Sequence, residues 1–289
     1  MLPLPAGLQE SFAASGAAVW GGLPFSALFA HMSPAAVEKA RALCPGAATV
    51  LVAAYPYYAG PRPGNLSLYA RGEDYHRVLV RRLTTVCDYL SNQYGAYRFL
   101  PASDSSPLPE REAAWGAGLG LRGEHGLLIL PPYGSYVFLG TILTDAPLDL
   151  PPAAPSPPCE DCGACRAACP TRALGEQLDG ARCLSHLTQK KGDLSEEEER
   201  LLAAHDLIWG CDCCQRACPH NQRAALTPLA EFREELMDNL VPEQLEGLTN
   251  RTFQAAYGAR AFAWRGPAVL RRNLALRTAQ EERDCAGPL

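Results

Sequence analysis

The residues most able to do chemistry are cysteines at a repeated spacing. The members of one run share a C-x2-C-x2-C-x3-C spacing that ends before a proline: Cys159, Cys162, Cys165 and Cys169. A second run has C-x2-C-x3-C spacing, again ends before a proline and has one cysteine upstream: Cys211, Cys214 and Cys218, with Cys183. Eight thiolates are what two 4Fe–4S clusters require, and in two-cluster proteins the last cysteine of a run ligates the other cluster. The prediction is one cluster on Cys159, Cys162, Cys165 and Cys218, and a second on Cys169, Cys183, Cys211 and Cys214.

Zinc and disulfides are the alternatives for these cysteines. A pair of C-x2-C motifs can form a structural zinc site, but tetrahedral zinc takes four ligands and does not explain the added cysteine and proline of each run. The chain starts without a basic segment followed by an apolar one, so nothing indicates secretion, and clustered cysteines in a reducing compartment favour metal ligation or catalysis. Cys213 lies between two predicted ligands and is predicted to be a bystander.

Composition indicates a globular protein with one large and one small domain. The chain has 289 residues, 47% of them hydrophobic, and a formal net charge of −5, which gives no general attraction to nucleic acid. Residues 247–280 contain six arginines and no acidic residue. Two interpretations of these arginines stay open: they form a local basic face, or they are ordinary solvated or paired side chains. The uncharged stretch 126–144 contains Pro131, Pro132, Gly134 and Gly140, which favour two strands around a turn over a membrane span.

The elements that must position these cysteines predict an α+β fold. An apolar run at 49–55 predicts a buried strand, helical periodicity covers 73–94, and 110–118 predicts a short helix that ends at glycine. The Pro- and Ala-rich segment 150–158 is typical of a linker. The predicted organisation is therefore an N-terminal domain at 1–149, the linker, a cluster domain at 159–225 and short helices at 226–289.

Four further segments, together with the cysteine runs, resemble the epoxyqueuosine reductase family. They are YARGEDYHRVLVRRL from Tyr69, Asp104 with the following SSPLPEREAAWGAGLG, GSYVFLGTILTDAPL from Gly134 and GCDCCQRACPHN from Gly210. LRRN at 270–273 also matches that family's C-terminal region. The resemblance implies an N-terminal corrinoid-binding, sandwich-like α/β domain related to that of reductive dehalogenases. A bacterial ferredoxin-like double-cluster domain would follow it.

The resemblance also implies the chemistry. The clusters would supply electrons to cobalamin, which would reduce the epoxide of epoxyqueuosine in tRNA, in the cytoplasm, with ferredoxin or flavodoxin as donor. Asp104 matches the family's catalytic acid, and burial would raise its pKa so that it could protonate the departing oxygen. Without the resemblance, Asp104 would be interpreted as an Asx-turn residue in an S-D-S-S-P loop, and that alternative stays open. Candidate cobalamin contacts are Tyr55, Tyr57, Tyr69 and His76, although core packing also explains the tyrosines and a surface position the histidine.

The chain departs from the family pattern at two places. Leu121 to His125 replaces the family's Trp-Ile-Gly-Lys-Asn, and His220 replaces a tryptophan. The helical-repeat extension that many members carry is also not in this sequence. Two alternatives stay open: a corrinoid iron–sulfur reductase for a different, smaller substrate, and a ferredoxin-like electron carrier.

Overall fold

The computed structural model describes residues 1–175 and 178–286, with side chains up to residue 280. The chain divides into two compact units. The first unit comprises Met1–Tyr58, Tyr75–Asp161 and Arg223–Ala230, and the second comprises Ala59–Asp74, Cys162–Gln222 and Glu231–Leu289. This division differs from the predicted boundaries, because the segment 59–74 belongs to the second unit together with the C-terminal helices.

The first unit is a mixed α/β structure, as predicted. Its strands are β1 (Val19–Pro24), β2 (Thr49–Pro56), β3 (Phe99–Ala102), β4 (Leu121–Arg122), β5 (Leu128–Ile129) and β6 (Val137–Thr144). Its helices are α1 (Leu8–Ala14), α2 (Pro34–Leu43), α3 (Tyr75–Gln93) and α4 (Glu110–Gly116). Four strands form an antiparallel sheet in the order β1-β2-β6-β3, while β4 and β5 form a separate hairpin.

Strand β2 lies inside the sheet and every one of its residues is buried. A strand with neighbours on both edges and helices on both faces needs apolar residues at successive positions, which the TVLVAAY run provides. One face, with Val50, Val52 and Ala54, packs in a core with Ala113 and Trp115 of α4. The sheet is therefore the middle layer of a sandwich.

Helix α3 covers the other face of the sheet. Its buried residues recur at helical spacing, at Val78, Leu79, Leu83, Val86 and Leu90. The approach is close: a Cβ added at Gly140 of β6 would lie 2.7 Å from a methyl carbon of Leu83. The Gly140 position thus lets α3 lie directly on the sheet.

The second unit is built from short helices, with one long helix at its end. They are α5 (Ala164–Ala167), α6 (Leu184–Leu187), α7 (Glu196–Ala203), α8 (Cys213–Ala217), α9 (Pro242–Leu245), α10 (Asn250–Tyr257) and α11 (Pro267–Ala286). Ser195 caps α7 in a reciprocal arrangement with Glu198. The prediction of short C-terminal helices is correct for α9 and α10, whereas α11 has 20 residues.

The predicted linker 150–158 lies against the first unit. Ser156 donates its N–H to Trp115 O at 2.8 Å and its hydroxyl to Leu119 O at 2.9 Å, and Arg122 N–H donates to Pro157 O at 2.7 Å. The prolines suit this role, since they have no N–H to donate to a sheet and so favour a segment that runs along a surface outside it. Among the described residues, no helix is long and apolar enough to cross a bilayer.

Candidate active site and cluster-binding residues

Asp104 lies in the loop between β3 and α4 and contacts the first turn of α3. Tyr75 donates its hydroxyl to Asp104 Oδ2 at 2.6 Å, and His76 Nε2 lies 3.5 Å from the same oxygen. The Asp104 side chain is nevertheless 65% exposed. Asp104 therefore combines a charged, partnered carboxyl group with access to a ligand.

The protonation state of Asp104 differs from the sequence-based expectation. The hydrogen bond with His76 lowers the pKa of Asp104, and the Tyr75 hydroxyl and the charge of His76 act in the same direction against partial burial. The group with the raised pKa is Glu110, for which burial raises the pKa to about 8. At neutral pH Asp104 is thus a carboxylate and Glu110 a neutral acid, the reverse of the expected effect of burial on Asp104.

A stack of aromatic rings adjoins Asp104. Tyr75 stacks on His76 with ring centroids 4.0 Å apart and on Phe138 with centroids 4.3 Å apart. Tyr57 stacks on Phe138 at 4.3 Å and meets Tyr136 edge-on at 5.8 Å. Phe138 lies on β6 and Tyr57 directly follows β2, so the stack connects the start of α3, which carries Tyr75, to the sheet.

The four predicted cofactor contacts lie in different surroundings. Tyr57 and His76 belong to the stack beside Asp104. Tyr55 is fully buried and shares a 3.0 Å hydrogen bond with Ser15, so its ring belongs to the core rather than to the site. Tyr69 lies in the second unit, where its hydroxyl accepts from Gln189 Nε2 at 3.3 Å.

Cysteines predicted as cluster ligands converge in the second unit. Burial raises the pKa of Cys214 to about 12, and the charges of the neighbouring Cys183, Cys169 and Cys165 raise it further. Cys165 lies on α5, Cys183 precedes α6 and Cys214 lies on α8, so that three short helices bring these thiols together. A set of thiols without carboxylates is the donor set that iron–sulfur clusters use. The described residues fit the predicted cofactor.

Cys213, the predicted bystander, lies beside a predicted ligand. Its thiol is hydrogen-bonded to that of Cys211, and both sulfurs and one ring nitrogen of His205 lie within 4.8 Å of one another. No sequence pattern pointed to His205, which lies six residues before Cys211. Spacing still favours Cys211 and Cys214 as ligands, because only they complete the C-x2-C-x3-C pattern.

Two polar residues outside the cysteine pattern anchor the ligand loops of the second unit. Asp212 is 1% exposed and accepts from Ser67 Oγ and from Leu68 N–H, the latter at 3.0 Å. Asn273 of α11 is 2% exposed and donates to Thr188 O and to Ile208 O, both at 2.8 Å. Asp212 adjoins Cys211, while Thr188 and Ile208 follow Cys183 and precede Cys211, so both residues fix loops that carry ligands. The LRRN match was the one sequence signal that pointed to Asn273.

The segment that departs from the family pattern contacts a predicted ligand of the first cluster. The backbone N–H of Glu124 donates to Cys159 Sγ at 3.4 Å. Hydrogen bonds to cluster sulfurs are among the factors that set reduction potential. Arg122, in the same segment, lies over the Trp115 ring at 4.5 Å and 3.7 Å from a carboxylate oxygen of Glu112, so it is used in packing.

Several of the arginines between residues 247 and 280 contact the protein itself. Arg271 donates to Leu245 O and Leu248 O, where α9 and the following turn expose their last carbonyls. Arg272 donates to Lys190 O at 2.9 Å, and burial lowers its pKa. Arg260 donates to Arg71 O at 3.0 Å. These three guanidinium groups donate hydrogen bonds to backbone carbonyls within the protein. This weakens the interpretation of residues 247–280 as a basic surface.

Two family models match the chain. The model described as "4Fe-4S double cluster binding domain" matches residues 158–221, and the one described as "Epoxyqueuosine reductase QueG, DUF1730" matches residues 38–105. The first contains all eight predicted ligands, so the chain carries a double-cluster domain. The second ends one residue after Asp104.

Curated relatives and a solved structure agree with these matches. An epoxyqueuosine reductase of Synechocystis sp. is 35% identical over 269 residues, which is 88% of this chain and 91% of that protein. One of Burkholderia pseudomallei is 40% identical over 185 residues, but that match spans only 45% of the relative's length. A crystal structure of epoxyqueuosine reductase with an epoxyqueuosine-modified stem loop of tyrosine tRNA matches with a TM-score of 0.84 and 28% identity, covering 97% of this chain and 82% of the other.

Proposed function

Because the chain belongs to the epoxyqueuosine reductase family, we propose that it reduces epoxyqueuosine in tRNA to queuosine. The observation that carries the proposal is the Asp104 site, in which an accessible carboxylate contacts two side chains that can deliver a proton. Removal of an epoxide oxygen to leave an alkene consumes two electrons and two protons and releases water. The chain must therefore supply protons at one place and support an electron carrier at another.

Two kinds of cofactor would carry the electrons in this scheme, while the protein supplies the protons. The eight predicted cysteines would hold two 4Fe–4S clusters in the double-cluster domain. We propose that cobalamin binds in the first unit beside the aromatic stack, where the partly exposed rings of Tyr75 and His76 can contact a corrinoid ring and the buried Tyr57 and Phe138 hold them in place. When bound, these groups supply the low-potential electrons, and the protein contributes binding, orientation and protons.

Asp104 acts in this proposal as the group that meets the departing oxygen. Since its pKa is held low by His76, the resting carboxyl group is ionised and must be protonated before it can act as an acid. The Tyr75 hydroxyl and His76 Nε2 both contact Oδ2, and a proton on either can pass to Asp104. The stacking of Tyr75 between His76 and Phe138 keeps that hydroxyl in place.

The proposed partners follow from the reaction. The substrate is tRNA, as in the crystal structure of the relative bound to a stem loop, and a cytoplasmic location accords with tRNA as substrate. The electron donor would be a low-potential carrier such as ferredoxin or flavodoxin. Three of the arginines in the C-terminal region donate hydrogen bonds to backbone carbonyls of the protein itself. We therefore expect tRNA affinity to depend on other residues.

Nucleoside analysis tests the proposal. The chain would be expressed in a bacterial strain that lacks its own epoxyqueuosine reductase, and tRNA nucleosides would be separated by liquid chromatography and mass spectrometry. We expect queuosine to replace epoxyqueuosine. Asp104→Asn would serve as the matched inactive variant, because it keeps the shape of the side chain but cannot donate the acid proton.

Iron analysis shows how to interpret a failure to convert epoxyqueuosine. Protein purified without oxygen should contain about eight irons, four per cluster. Persistence of epoxyqueuosine with the iron intact would refute tRNA reduction and leave a reductase of another substrate. Failure to bind any corrinoid would refute both reductase proposals and favour an electron carrier.

A further inference from the structure

Glu110 is the first residue of α4, and its side chain turns back to the loop that carries Asp104. Glu110 Oε1 accepts the backbone N–H of Asp104 at 2.8 Å. Asp104 has a φ of 55°, in the left-handed region that side chains with a Cβ disfavour. The contact therefore ties down a residue whose backbone would otherwise relax to another conformation.

The rest of the loop is anchored on either side of this contact. Ser103 donates its hydroxyl to Leu139 O at 2.9 Å, and Ser105 N–H donates to Ser103 O at 2.7 Å. Neither bond uses the amide of Asp104 itself. With its side chain 65% exposed, Asp104 depends on few contacts for its orientation.

We propose that Glu110 is a positioning residue whose carboxyl oxygen fixes the Asp104 backbone and so keeps the Asp104 carboxyl group in contact with Tyr75 and His76. The inference rests on the proposed function, in which Asp104 delivers a proton to the departing oxygen. Glu110 does not transfer that proton. It acts through Asp104.

The protonation state of Glu110 suits an uncharged acceptor. Burial raises its pKa to about 8; the hydrogen bond from the Asp104 amide and the charge of His76 oppose this rise, while the charge of Asp104 adds to it. A neutral carboxylic acid retains a carbonyl oxygen that accepts from the Asp104 amide, and it places no second negative charge beside Asp104. Glutamine reproduces both properties, whereas alanine removes the acceptor.

Three variants separate these properties. Glu110→Ala removes the acceptor, Glu110→Gln keeps it without an acidic proton, and Glu112→Gln on the same helix is the control, since Glu112 contacts His31 and Arg122 instead. For Glu110→Ala we expect kcat to fall about tenfold, the effect of losing one net hydrogen bond of about 1.4 kcal/mol, with an unchanged KM for tRNA. Glu110→Gln and Glu112→Gln should stay within about twofold of the wild type, a difference of about 0.4 kcal/mol.

Amide hydrogen exchange provides a second readout that does not depend on turnover. Peptides covering residues 103–106 should exchange faster in Glu110→Ala than in the wild type, and at the wild-type rate in Glu110→Gln. Unchanged exchange in Glu110→Ala would overturn the inference, as would a Glu110→Gln variant as inactive as Glu110→Ala, because the acidic proton would then be the important feature. If the wild type does not reduce tRNA, the proposed function fails, and the exchange rates alone decide whether Glu110 fixes the loop.

Discussion

Replacement of Asn273 tests how the C-terminal helix supports the second cluster. In Asn273→Ala, the carbonyls of Thr188 and Ile208 lose donors that each lie 2.8 Å away. The site is 2% exposed, so water cannot readily replace the amide. An unpaired buried polar group costs about 1–3 kcal/mol, and with partial relaxation we expect the two together to lower the free energy of unfolding by about 2–4 kcal/mol.

The two carbonyls connect that loss to metal binding. Thr188 lies five residues after Cys183, and Ile208 lies three residues before Cys211. Thr188 Oγ1 also accepts from Gly210 N–H at 2.9 Å, and Gly210 has no room for a side chain, since a Cβ there would lie 2.4 Å from Ser67 Cβ. Loosening these segments should spread the ligands of the second cluster, so we expect the iron content to fall from about eight toward about four.

The assay combines denaturant unfolding and iron analysis under anaerobic conditions. Asn92→Ala, at an exposed position of α3, is the control for the same change of side chain. Asn273→Asp is a second variant, in which carboxylate oxygens would face the two carbonyls, and it should be at least as destabilised as Asn273→Ala. An Asn273→Ala protein that matches Asn92→Ala in both unfolding midpoint and iron content would rule out this role of Asn273.

Three further predictions concern single groups. Asp104→Asn should keep the iron and cobalamin content and lose turnover of epoxyqueuosine, and full activity would return Asp104 to a turn-forming role. Cys213→Ser should retain about eight irons, while Cys214→Ser should lose iron; the opposite result in iron analysis would exchange their assignments. The pKa of Glu110 is raised from 4.5 to about 8 in the folded state. Between pH 4.5 and pH 8 the folded protein therefore keeps a proton on Glu110 that the unfolded chain loses, and the free energy of unfolding falls as pH rises through this range. Thermal unfolding should therefore show that Glu110→Gln gains stability relative to the wild type from pH 5 to 8, by up to about 1.4 kcal/mol per pH unit, and a pH-independent difference would contradict the raised pKa.

The double-cluster domain and strand β2 could be predicted because their physical requirements are local. Cluster ligation constrains the spacing between thiols, and a central strand with both faces covered needs an unbroken apolar run. The family matches bear out the double-cluster domain. Strand β1 carried no such signal, since VWGGLP contains two glycines and a proline that weaken any strand pattern.

The state of Asp104 and the roles of the arginines depend on tertiary neighbours. The pKa of Asp104 is set by His76, 28 residues away in the sequence, and the guanidinium of Arg272 pairs with Lys190 O, which lies 82 residues away. Charge patterning along residues 247–280 could suggest only a basic face, because a sequence does not indicate which carbonyls lack donors. Membership of the family supplied the LRRN match but not its structural purpose.

The link between Asn273 and the ligand loops has a consequence for the order of events during synthesis. The last predicted cluster ligand, Cys218, emerges from the ribosome 55 residues before Asn273. At about 5–20 residues per second, this leaves an interval of roughly 3–11 s in which all eight ligands exist but the carbonyls of Thr188 and Ile208 lack their donor. In that interval, iron–sulfur assembly factors would bind ligand loops that α11 does not yet hold in place. Docking of α11, with the two Asn273 hydrogen bonds, would then help to retain the inserted cluster.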